Sequence, residues 1–109
     1  MQEGEKKKME EITTKTKQIL KKIQICPHWL GYKYIITAIN YLYKNKDKDI
    51  CMKEIYDEIQ QKHKTTASRA EKCIRYLIDE KQEKIKEYFN INHRITNMKF
   101  IALIQEELM

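Results

Sequence analysis

Between Ile50 and Ile78 the chain reads ICMKEIYDEIQQKHKTTASRAEKCIRYLI, and its apolar residues return every three or four positions in two successive runs. Met52, Ile55, Tyr56 and Ile59 form one stripe; Ala67, Ala70, Ile74, Leu77 and Ile78 form another, with Cys73 beside it. This is the period of a helix with one buried face. The polar stretch Lys62-His63-Lys64-Thr65-Thr66 separates the runs, so two helices with a tight connection are predicted, over about 51–62 and 66–79. Thr65, Thr66 and Ser68 all qualify as N-caps, because a hydroxyl oxygen there accepts from an unpaired first-turn amide. Ser68 and Glu71 also have capping-box spacing. The predicted outward face of the second helix carries Ser68, Arg69, Glu71, Lys72 and Arg75. A helix seated by its apolar side and basic on the other suits a DNA groove.

The remainder of the chain is also helical in pattern. Only two glycines and one proline interrupt 109 residues, and no useful β-alternating run occurs. The fold expected is all-α: a compact bundle of five or six helices containing a helix-turn-helix. At this length one domain is expected, burying roughly 60–65% of its unfolded surface. Residues 1–8 read as a disordered charged tail and 9–109 as a single helical DNA-binding domain. Helix one is expected from Met9 to Ile25, closed by Cys26-Pro27-His28. Helix two is expected from Gly31 to Lys44, with Tyr32, Ile35, Ile36, Ile39, Leu42 and Tyr43 inward and Trp29 packed at its start. Glu80–Lys84 reads as an extension of helix four. Ile85, Tyr88 and Phe89 make a short helical patch, and Asn97 is the expected cap of a last helix that buries Phe100, Ile101, Ile104 and Leu108. Of the other tyrosines, Tyr34, Tyr41 and Tyr76 are candidates for partial exposure and a DNA-backbone contact, with a packing role favoured.

The net charge of +6 is unevenly spread. Residues 62–76 hold Lys62, Lys64, Arg69, Lys72 and Arg75 against Glu71 alone, and residues 1–24 hold seven lysines against four glutamates. The remainder is close to neutral. An excess on one proposed recognition unit points to a polyanion partner, although a lysine-rich solvated surface has the same composition. Cys26, Cys51 and Cys73 are odd in number and lack a C-x-x-C, which fits a reduced, cytoplasmic setting. No apolar run approaches a membrane span and no signal peptide follows MQEGEKKK. His28, His63 and His93 stand at no metal-ligand interval. There is no glycine-rich phosphate loop and no activated nucleophile, so no enzyme, cofactor or metal is expected. Pattern alone leaves two readings open: a DNA-binding domain, or a helical interaction module whose basic face docks on an acidic protein.

The segment Lys64-Thr65-Thr66-Ala67-Ser68-Arg69-Ala70-Glu71-Lys72-Cys73-Ile74-Arg75 resembles the recognition helix of the sporulation initiation transcription factor family, the stage-zero response regulators of endospore-forming bacteria. His28-Trp29-Leu30-Gly31-Tyr32-Lys33-Tyr34 resembles that family's H-x-x-G-Y-x-Y entry to the second helix, and Phe100-Ile101-Ala102 its last helix. The likeness is to the C-terminal effector domain and spans most of the chain. It implies an all-helical domain that binds a short double-stranded DNA box through the major groove. It also implies contact with an RNA polymerase sigma subunit and with a second copy on DNA.

Carried over by position, Arg69 reads base edges, since a guanidinium pairs bidentately with guanine. Glu71 accepts from a cytosine amine or orients a neighbouring arginine. Arg75 contacts base or backbone. Lys72 stands where the family carries arginine and, lacking the fork, is expected on a phosphate. Thr66 and Ser68 are expected to bond phosphate from the helix N-terminus, and Lys62 and Lys64 are placed on phosphate by position. No receiver domain with a phosphorylatable aspartate is recognisable, so either constitutive competence or control by abundance or by a partner is expected. The segment Asp79–Asn97 departs from the family pattern in length and sequence. A sigma subunit or the full-length regulator is the acidic partner that the interaction-module reading implies.

Overall fold

A computed structural model of the protein describes residues 3–108. Six helices follow one another with no strand among the described residues: α1 (Glu3–Lys22), α2 (Leu30–Lys44), α3 (Met52–His63), α4 (Ala67–Glu80), α5 (Gln82–Phe89) and α6 (Asn97–Leu108). The all-α expectation holds. The central element is α2, which packs against α1, α3, α4 and α6. That position explains its sequence, LGYKYIITAINYLYK, which is apolar on more than one side. Ile35, Ala38 and Ile39 of α2 meet Leu20 and Ile23 of α1, Ile59 of α3, Ile74 and Ile78 of α4, and Phe100 and Ile104 of α6 in one core. The two buried polar residues among those described are satisfied: Thr16 Oγ1 donates to Ile12 O at 2.7 Å, and Thr37 Oγ1 lies 2.7 Å from His63 Nε2.

Three helix ends depart from the sequence expectations. The first helix begins at Glu3 rather than Met9, so Lys6, Lys7 and Lys8 lie on an exposed helical extension and not on an unstructured tail; Met1 and Gln2 fall outside the described residues. Lys21 and Lys22 in its last turn complement the helix dipole. It ends at Lys22, before Pro27 has any influence. Gln24 takes a left-handed conformation (φ 67°), and Ile25 N–H and Gln24 N–H bond back to Leu20 O and Lys21 O at 2.9 Å each. That is a Schellman turn. Helix four does not run on to Lys84: the chain breaks at Lys81, which ends α4 and starts α5. Gln82 then clasps the backbone of Ile95, accepting from its N–H at 2.9 Å and donating to its carbonyl at 2.6 Å. The connection to α6 is thereby fixed alongside α4.

The start of α2 is brought against the middle of α4 at Gly31. A Cβ there would stand 2.9 Å from Cys73 O and 2.9 Å from Leu77 Cδ1. Glycine at this point of the H-x-x-G-Y motif is a requirement of close helix packing.

Candidate nucleic-acid interface

The unit formed by α3 and α4 is built from a three-residue turn, 64–66, tied at both ends. Lys64 closes α3 in the left-handed region (φ 52°, ψ 46°), the position where a turn glycine is usual. Gln60 is the anchor. Its carbonyl accepts from Lys64 N–H and from Thr65 N–H (3.3 Å), and its side-chain Oε1 accepts from Ala67 N–H at 3.1 Å across the turn. Thr66 caps α4: its Oγ1 accepts from Arg69 N–H at 3.1 Å. The sequence left three hydroxyls open, and backbone geometry selects Thr66, which sits at φ −102°, ψ 154° just outside the helix. The alternative Ser68–Glu71 capping box does not form, because Glu71 turns the other way along the helix, to Arg75.

Below this turn lies His63, last residue of α3. Its ring stacks at 5.1 Å, tilted 59°, on Tyr34 of α2, and its Nε2 meets Thr37 Oγ1 at 2.7 Å. Tyr34 is therefore buried and takes a packing role, whereas Tyr76 is 63% exposed. Burial lowers the His63 pKa from its ordinary 6.5, and the charges of Lys33 and Lys62 lower it further.

Ala70, Ile74, Leu77 and Ile78 seat α4 in the core. The opposite side of the helix presents Ser68, Arg69 and Lys72, all exposed, with Lys62 and Lys64 exposed at the turn. None of these four cations makes an ion pair among the described residues. Glu71 and Arg75 lie to one side of that face. They pair at 3.3 Å, one turn apart, with side chains 33% and 44% exposed. The Arg75 guanidinium also stands 5.5 Å from the Tyr76 ring centre. Of the eight residues expected at the interface, six thus share one open surface, counting the Thr66 cap, and two form a half-covered pair beside it.

Two other elements frame α4. On the Arg75 side comes the α5–α6 connection. Arg94 pairs with Asp79 at 2.7 Å, Thr96 caps α6 by accepting from Lys99 N–H at 3.2 Å, and Asn97 reaches across. Asn97 was the expected cap. Instead its amide donates to Tyr56 Oη at 3.0 Å and to Glu71 O at 3.1 Å, joining α3, α4 and α6. On the Cys73 side, Trp29 and Leu30 border a shallow groove floored by Gly31, Cys73 and Leu77. Sequence reasoning missed Gln60, Asn97 and Arg94. Asn97 and Arg94 bond partners 15 to 41 residues away, beyond any helical period, and Gln60 bonds across a turn where the helix has already ended. No three His, Cys, Asp or Glu residues converge to hold a metal among the described residues, and no described helix is long and apolar enough to cross a membrane.

A compact helical domain that carries a capped, outward-facing basic helix after a tight turn is the architecture of a helix-turn-helix effector domain. The chain belongs to the family described as sporulation initiation factor Spo0A C terminal, which matches it over residues 16–108. It is accordingly a DNA-binding effector domain of the sporulation-regulator type, from a family of transcription factors and not of enzymes.

Proposed function

We infer that the chain is a sequence-specific regulator of transcription that reads double-stranded DNA by laying α4 in the major groove. The observation that carries this reading is the pairing of a fully seated inner side with an outer side on which Lys62, Lys64, Arg69 and Lys72 make no ion pair among the described residues. Uncommitted exposed cations are available to displace counterions from phosphates. Arg69, in the first turn, has the reach and fork for a guanine edge. Lys62, Lys64 and Lys72 act on the phosphates. The exposed Ser68 hydroxyl and the first turn of α4 face the backbone at the positive end of the helix dipole. Glu71 holds Arg75 in a defined direction, which suits it to orient that arginine towards a base or a phosphate. A cytoplasmic setting, a sigma-subunit contact and a second copy on DNA belong to the same reading, by family.

The rival function is a helical module docking its basic face on an acidic protein, such as a sigma subunit or the full-length regulator. Selection of bound sequences from a random duplex pool separates the two. A recurrent short box, bound with a steep salt dependence, is the expected result. No enriched sequence and no duplex affinity at moderate salt would favour the protein-docking function and overturn groove reading.

A further inference from the structure

We propose that the DNA interface does not end with the helix-turn-helix but extends onto α2, where Lys33 makes a further phosphate contact. This rests on the reading of α4 as the groove-bound helix. Three observations place Lys33 beside the turn. Thr37, one helical turn after Lys33 on the same side of α2, contacts His63 at 2.7 Å, and Tyr34, next to Lys33, stacks on the same ring. His63 immediately precedes Lys64, so this turn of α2 lies against the base of the connection leading into α4. The charges of Lys33 and Lys62 are both felt at the His63 ring, which fits two ammonium groups near it.

Lys33 is exposed and, like Lys62 and Lys64, makes no ion pair among the described residues. No acidic residue occurs between Ile25 and Asn45 to neutralise it. Three unpaired ammonium groups from two helices and a turn thus gather at the end of the unit where the N-terminus of α4 begins. Like charges held together repel one another, and a phosphate between them relieves that repulsion. In this arrangement Lys33 lies outside the two-helix unit and fixes the angle at which the domain sits on the duplex. It contributes affinity without reading sequence.

The test is Lys33→Gln in the full chain, measured on a duplex selected by the wild-type protein and on a scrambled duplex, over a salt series. Lys17→Gln, on exposed α1, is the control. For Lys33→Gln the slope of log Kobs against log salt is expected to fall by about 0.9, the loss of one phosphate contact, with equal weakening on both duplexes. An unchanged slope with wild-type binding intact overturns the α2 contact alone. Loss confined to the selected duplex also overturns it, because Lys33 would then be reading sequence. Absence of duplex binding by the wild-type protein overturns the groove reading and the α2 contact together.

Discussion

Glu71 Oε1 and Arg75 Nη1 lie 3.3 Å apart along the flank of α4, and the same glutamate offers its backbone carbonyl to Asn97. The ion pair is half exposed and one turn long, so it contributes at most a few tenths of a kcal/mol to folding. Its weight falls on binding. Glu71→Gln removes a negative charge from beside the phosphates and frees Arg75. Binding to a scrambled duplex is expected to tighten, while the ratio between selected and scrambled duplexes narrows. Competition binding checks both, and an unchanged ratio would remove Glu71 from any part in selectivity.

Arg69→Ala is expected to cost about 1–3 kcal/mol on the selected duplex and to relax the preference at one base pair. Equal loss on every sequence would reduce Arg69 to a phosphate contact. A selection repeated with the variant reads the difference directly.

Lys64 holds a left-handed backbone that costs a side-chain-bearing residue roughly 1 kcal/mol. Lys64→Gly is therefore expected to raise stability by about 0–0.5 kcal/mol, once glycine's extra freedom in the unfolded chain is subtracted. Lys64→Ala keeps the strain and gains nothing. Both variants lose the charge, so both are expected to flatten the salt dependence of DNA binding by about one phosphate contact. Denaturation midpoints and salt titrations on the same two proteins separate the backbone effect from the charge effect.

The His63 pKa lies below 6.5 in the folded state because of burial, with Lys33 and Lys62 adding to the shift. Its neutral form is favoured by folding. The stability this gives is complete above pH 6.5 and is lost as the pH falls from there through the lowered folded value. Denaturant midpoints across that window are expected to drop for the wild-type protein and to drop less for His63→Gln. Parallel curves would assign the pH dependence to other groups.

Gly31→Ala forces a methyl against Cys73 O and Leu77 Cδ1, both 2.9 Å from the new atom. One of the two neighbours is backbone, so the helices must separate. A loss of about 1–3 kcal/mol is expected, read as a lower thermal midpoint. A wild-type midpoint would show that α2 and α4 can part without cost.

The sequence carried the helices because their apolar stripes repeat at the helical period; Ile55, Ile59, Ala70, Ile74, Leu77 and Ile78 are all buried as that period requires. It carried the open basic surface for the same reason, since the opposite side of a stripe is fixed once the stripe is. What it could not carry depends on chain reversal. Whether Thr96 or Asn97 caps α6 is decided by where the backbone enters the helix, and Asn97 is then free to bond Tyr56, 41 residues away. Lys64 in a glycine conformation gives no sign in composition, because the three-residue turn and the Gln60 bonds impose it. The break at Lys81 is equally silent: DEKQEK is a good helix sequence, and packing against the rest of the domain redirects it.

Gln60 grips the connection from both ends, its backbone carbonyl accepting from Lys64 and Thr65 in the turn and its side-chain oxygen from Ala67 at the start of α4. A linker fastened in this way has little freedom left to surrender when a ligand arrives. The domain should meet its target as a finished tool, with association governed by charge steering and with little entropy spent on ordering the turn.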